Sequence, residues 1–149
     1  MPSTVDFRSA SKRHWDDATL LEANGRTGNA GQLYGFSAEC GVKALLVALG
    51  YPTEPDGSPA NKPPAGTPKV RLHINQLVSK MGDIRGEIER RNGAKYTAMI
   101  PNITKFSDWS TEHRYRVNTA IPDSLPAWRS AAKKVMQMLD EAFLDGVFK

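Results

Sequence analysis

The stretch from Asn29 to Gly50, NAGQLYGFSAECGVKALLVALG, limits the possible folds more than any other part of the chain. It reads as one long helix that is apolar on nearly every side, whereas a surface helix usually shows an apolar stripe covering roughly a third of its circumference. A helix of this kind belongs at the centre of a helical bundle. Its exceptions are therefore informative. Gln32, Glu39 and Lys43 stand seven and four residues apart and share one stripe with Gly35 and Leu46. Unpaired charges are costly to bury, so a charged pair on a mostly buried helix requires partners or a ligand.

At 149 residues the chain suits one domain with a sizeable core and is short for two. The net charge of +4 fits an anionic partner without requiring one. The single cysteine, Cys40, lies among apolar helical neighbours and reads as a small core residue in a reducing compartment. Asp6, Arg8, Lys12, Arg13, Asp16 and Asp17 leave no room for an apolar signal core in the first twenty residues, which predicts a cytoplasmic protein. The longest strongly apolar run, Ala44 to Gly50, falls short of the ~20 residues a membrane span needs.

From Val5 to about Asn24 the positions Phe7, Ser11, His14, Ala18 and Leu21 follow a helical period, with Trp15 beside them. Lys12 with Asp16 and Arg13 with Asp17 form i,i+4 pairs on a solvated face. Asn24-Gly25 is a helix stop, and Asn29 is a candidate N-cap for the central helix, so the two helices should form an antiparallel hairpin. The glycines of GRTGNAG invite comparison with a phosphate cradle. With no strand before them and no Lys-Ser/Thr after, they read instead as a plain helix-helix turn.

Residues 51–68 hold six of the ten prolines and no apolar periodicity, which predicts a long, flexible loop. Val70, Ile74, Leu77, Val78 and Met81 then mark a short amphipathic helix carrying His73 and ended by Gly82. Ile84 and Ile88 lead a more polar helix toward Asn92-Gly93. In FSDWSTEHRYRVN, from Phe106 to Asn118, Ser107 or Asp108 caps a short helical turn that sets Trp109 and Tyr115 close to Arg114 and Arg116, a mixture typical of binding surfaces. Pro122 and Pro126 open a final core helix whose face is Leu125, Trp128, Ala132, Val135, Leu139, Ala142 and Phe143. No strand is predicted.

His14, His73 and His113 are scattered one to a segment, so no metal site is expected, and no cofactor motif is present. There is no G-x-S-x-G elbow for a serine nucleophile. A cysteine inside an apolar helix is poorly exposed for attack. What remains is Gln32, Glu39 and Lys43 on the central helix, His73 on the next helix, and Arg114 with Tyr115 after the aromatic turn. Two readings stand side by side. In one, Glu39 pairs with Lys43 or Arg114 to fix helix register. In the other, the helices meet around an anion-accepting cleft in which Arg114 takes a phosphate and Trp109 or Tyr115 stacks on a base.

The segments DATLLEANGRTGNAGQLYGFSAECGVKALLVALG and FSDWSTEHRYR resemble the HEPN superfamily, the higher-eukaryote and prokaryote nucleotide-binding domains, in its branch with an AEC-type second helix. The likeness runs through an Asp-Ala-x-x-Leu-Leu first helix, a Gly-Arg turn, the A-E-C-G-x-K-A-L-L core, a His followed by Leu after the loop, and W-S-x-x-x-R-Y. It implies an all-α, up-and-down bundle of four to five helices, often a homodimer. It also implies nucleotide binding or RNA cleavage in toxin-antitoxin, defence or stress systems, sometimes beside a nucleotidyltransferase partner. Ribonuclease members use an Arg, four to six variable residues and a His, placed around the start of a late helix. Here Arg8 to His14 has that spacing but lies in the first helix, and the late segment has His113 before Arg114 and none after.

The leading expectation is a HEPN-like domain that binds a nucleotide or RNA phosphate, with Glu39, Lys43, His73, Trp109, Arg114 and Tyr115 lining or supporting the site. One alternative is a metal-independent endoribonuclease using Arg114 with His73 or His113. The other is a dimeric protein-interaction module with a purely structural polar cluster.

Overall fold

The structure is a computed structural model that describes residues 3–148 and is all-helical, with no strand among those residues. In chain order it comprises α1 (Phe7–Ala23), α2 (Thr27–Ala48), α3 (Ile74–Ser79), α4 (Met81–Arg90) and α5 (Ala94–Thr97), then 3-10 turns at Pro101–Asp108, Thr111–Tyr115 and Asn118–Ala120, and finally α6 (Leu125–Leu144). No helix among the described residues is long and apolar enough to cross a membrane.

α2 is the axis of the bundle, with α1 and α6 against most of its length and α3 and the Thr111–Tyr115 turn against its remaining sides. Its enclosure follows from its composition, because small residues let neighbours approach closely. Ser11 and Ser37 exchange hydrogen bonds across the α1–α2 contact, each hydroxyl donating to the other's carbonyl at 2.7 and 2.9 Å. A Cβ built on Gly41 would stand 2.3 Å from Val135 Cγ1 of α6. One built on Gly35 would stand 2.1 Å from the Trp109 ring, and one on Gly31 2.8 Å from the Trp128 ring. Two glycines one helical turn apart thus receive the two large indoles, a role the sequence reading missed.

The boundaries correct several expectations. Asp6 caps α1, its carboxylate accepting the Ser9 N–H at 3.0 Å. Gly25, at φ +74°, makes the expected stop. α2 begins at Thr27, so Asn29 lies inside the helix and the capping position falls to Arg26, which offers no side-chain acceptor. Gly82 lies within α4 rather than ending a helix, and Asn92 provides the left-handed stop at φ 67°. Ser110, not Ser107 or Asp108, caps the aromatic turn by accepting the Glu112 N–H. Phe143 is half exposed instead of core, with the Arg8 guanidinium 4.3 Å above its ring.

The proline-rich stretch 51–68 is irregular, as expected, and several bonds tie it to the bundle. The Asp56 carbonyl accepts N–H groups from Thr4 and Val5, the Tyr51 N–H donates to the Leu46 carbonyl of α2 at 2.9 Å, and Tyr51 Oη closes the stretch on itself by donating to the Pro68 carbonyl at 2.7 Å. Tyr51, Ser58 and Ala60 are buried.

Candidate functional site

The polar residues of α2 have two separate settings. The first is a buried ion pair one turn apart, in which Lys43 Nζ donates to Glu39 Oε2 at 3.0 Å. Glu39 Oε1 accepts the backbone N–H of Ile74 at 3.1 Å and lies 3.0 Å from His73 Nδ1. A carboxylate only accepts, so the ring must present a proton at Nδ1 and leave Nε2 pointing away from the pair. The Glu39 side chain is 9% exposed and that of His73 51%, so the dyad runs from core to surface. The Phe36 and Trp109 rings flank His73 at 6.1 and 6.4 Å, and His14 reaches Phe36 at 5.8 Å. Burial, reinforced by Arg13, holds His14 below its ordinary titration range.

Of the six residues expected at one site, Glu39, Lys43 and His73 are brought together, and Trp109 packs beside them. Arg114 and Tyr115 are not part of this cluster. Glu39 pairs with Lys43 and His73, with no bond to Arg114. The indole of Trp109 is wholly buried, with Nε1 donating to the Gly31 carbonyl at 2.9 Å, so no base can stack on it. Tyr115 is 80% exposed beneath the Arg114 guanidinium, 5.1 Å from the ring centre, and remains available to stack.

The second setting is the start of α2 at Thr27, about 18 Å along the helix axis from Glu39 at 1.5 Å per residue. There a cavity of about 360 Å³ is lined by Arg26, Gln32, His113, Arg114 and Arg116 together with the first turn of the helix. The N–H groups of Thr27, Gly28 and Asn29 have no acceptor among the described residues, and Arg26 supplies no cap. Open N–H groups and the helix dipole make such an end attractive to anions.

Two buried side-chain atoms without a partner, Gln32 Oε1 and His113 Nδ1, belong to residues of this wall. Both residues are well enclosed, at 5% and 9% exposure. Gln32 Nε2 is engaged, donating to the Ser110 carbonyl at 2.7 Å, which fixes the amide so that Oε1 has no donor. His113 stacks on Trp128 at 6.0 Å, and burial, assisted by Arg116, lowers its pKa and favours a neutral ring.

No acidic residue lines this cavity. Arg116 is bridged to Glu112 at 3.0 Å, while Arg114 Nε donates to the Thr111 carbonyl at 2.9 Å and has no carboxylate partner. A neighbouring recess of about 430 Å³ shares Thr27, Gly28, Asn118 and Ile121 with the first and continues onto Leu125, Pro126 and Trp128.

Of the polar side chains in this lining, Arg26 was not singled out by the sequence, while Gln32 was named only in the polar stripe of α2 and Arg116 only beside the aromatic turn. The clue was present in the glycine turn GRTGN, which is a plain helix-helix turn and also an uncapped helix start. His113, expected as a catalytic candidate, is enclosed in the wall, while its neighbour Arg114 points outward. No group of His, Cys, Asp and Glu suited to a metal occurs among the described residues. Burial raises the Cys40 thiol to about 12, which disfavours a thiolate nucleophile. No protein family, curated protein or solved structure matches this chain.

Proposed function

We propose that this chain is a HEPN-like helical domain that binds an anionic ligand, the phosphate of a nucleotide or an RNA, at the N-terminus of α2. The observation that carries this reading is the convergence on one cavity of three arginines and an uncapped helix start, with no carboxylate in its wall. Guanidinium forks match phosphate oxygens, and open N–H groups accept the same charge without rearrangement. Tyr115, exposed at the edge of the same turn, offers a face to a base. The same reading places the protein in the cytoplasm, as a homodimer or beside a protein partner, in a toxin-antitoxin, defence or stress system.

Thermal unfolding with a panel of nucleotides and short RNAs tests it. Ligand at about a hundred times its dissociation constant adds about 2.7 kcal/mol of apparent stability. Arg114→Ala is expected to abolish that shift while leaving helical circular dichroism intact. A variant that binds as well as the parent removes Arg114 from the site.

One observation favours endoribonuclease activity as the second reading. The Glu39–His73 dyad presents a half-exposed imidazole oriented by a buried carboxylate, an arrangement suited to general-base work. Metal-independent cleavage of RNA that disappears in His73→Ala supports it; RNA recovered intact from the parent protein excludes it for that RNA.

A further inference from the structure

Resting on the anion-binding reading above, we infer that the α2 site selects a terminal phosphomonoester carrying an organic group, as at the 5′ end of a nucleotide, over an internal phosphodiester. The first ground is charge. Arg26, Arg114 and Arg116 face the cavity with no carboxylate in its lining, and the N–H groups of Thr27, Gly28 and Asn29 add the positive end of a 22-residue helix. Near neutral pH a phosphomonoester carries a charge of about −1.5 to −2 and three terminal oxygens. A diester has one negative charge and only two such oxygens, leaving more of these donors unmatched.

The second ground is the unmet hydrogen-bonding capacity beside that charge. Gln32 Oε1 is a buried acceptor without a donor, which the terminal oxygens of an ionised monoester, all acceptors, do not answer. A hydroxyl or amine on the ligand's organic part does. His113 Nδ1, equally buried and without a partner, belongs to a residue of the same wall.

The third ground is room. The adjoining recess, reached past Gly28 and Ile121, is walled by Leu125, Pro126 and Trp128 and suits a flat or apolar group. Asp123 is the one acidic residue on its lining, which places negative charge in this second recess and not among the arginines. Phosphate on one side of the helix start and ring on the other is the arrangement of a single nucleotide. A free nucleoside 5′-monophosphate and the 5′-phosphorylated end of an RNA present the same chemistry.

Calorimetric titration of the full chain separates the outcomes. The probes are adenosine and uridine 5′-monophosphates, their 3′,5′-cyclic counterparts, inorganic phosphate, and one short RNA with a 5′-phosphate or a 5′-hydroxyl. The monophosphates are expected to bind at least about tenfold more tightly than the cyclic diesters and inorganic phosphate, equivalent to about 1.4 kcal/mol. If RNA ends are the source, the 5′-phosphorylated RNA exceeds its 5′-hydroxyl twin by a similar factor. If free nucleotides are the source, the two RNAs bind equally weakly and the monophosphates alone bind well.

Arg26→Ala and Arg116→Ala, both at exposed positions, should reduce the monoester preference without loss of helical signal. Cyclic nucleotides or 5′-hydroxyl RNA binding as tightly as the monoesters overturns this inference and leaves the anion-binding reading standing. Inorganic phosphate binding as tightly as the nucleotides overturns the role of the recess and of the organic group. Absence of binding by every probe overturns both the inference and the reading it rests on.

Discussion

Glu39 receives three contacts inside the bundle, and the Lys43 charge beside it is equally enclosed. Removing one member of a buried pair leaves the other uncompensated, at a cost of about 3–5 kcal/mol. Glu39→Gln is therefore expected to lower the free energy of unfolding in urea by about that amount. Glu39→Gln combined with Lys43→Met should recover much of it, and a double-variant loss equal to the sum of the Glu39→Gln and Lys43→Met losses would show that the pair is not coupled. Gly35 presents the opposite situation, with no side chain where the Trp109 indole needs the space. Gly35→Ala should destabilise by about 1–3 kcal/mol through overpacking, read as a shift in the denaturant midpoint, although alanine is the better helix former. The periodicity of α2 predicts that it is buried, but cannot reveal that Gly31 and Gly35 receive indoles from segments 97 and 74 residues away.

The two ends of the hairpin helices differ in a way that bears on function. α1 has a capping carboxylate at Asp6, and the hydrogen bonds from Ser9 pull its pKa below the usual carboxylate range. α2, the longest helix, has Arg26 at the equivalent place and three unpaired N–H groups. An Asp at an N-cap stabilises a helix by about 0.5–2 kcal/mol. Arg26→Asp should therefore raise the unfolding temperature of the unliganded protein while weakening phosphate binding, because the new carboxylate occupies the N–H groups and repels the ligand. Differential scanning calorimetry together with a binding titration checks this opposition. An unchanged affinity would show that the helix start does not hold the anion. The glycine turn was legible as a turn, but its missing cap became clear only when the helix was seen to start at Thr27 instead of Asn29.

Across the whole molecule, acid should act in two stages. His14 and His113 have pKa values lowered from the ordinary 6.5, by burial first and by Arg13 and Arg116 next. A group whose pKa is depressed on folding binds more protons when unfolded, so stability is complete above about pH 6.5 and declines as pH falls below it. The carboxylates follow. For Glu87, burial acts to raise the pKa, but the hydrogen bonds from Arg90 and Arg91 prevail and hold it below 4.5. Asp6 is held below 3.8 by its bonds from Ser9. Their contributions persist above those ordinary values and are lost as pH falls through the lower folded ones. Unfolding free energy measured from pH 8 to 3 should show both declines. A flat profile between pH 6.5 and 5 would exclude the histidine contribution, and His113→Phe should weaken the first decline while retaining the stack on Trp128.

The sequence alone determined the helical character, the central place of 29–50, the hairpin with the preceding helix, the irregular stretch 51–68 and the need of the buried Glu39 and Lys43 for a partner. These follow from local periodicity, from punctuation by Gly and Pro, and from the expense of burying charge without a partner. Only the tertiary structure decided that Arg114 and Tyr115 lie at the other end of α2, that Trp109 is core, and that Gln32 and His113 share a wall with three arginines. Those facts depend on where the 3-10 turns of 101–120 set the chain down before α6. That placement is governed by long-range fits such as the Trp109 bond to the Gly31 carbonyl and the Gln32 bond to the Ser110 carbonyl, which no local pattern encodes.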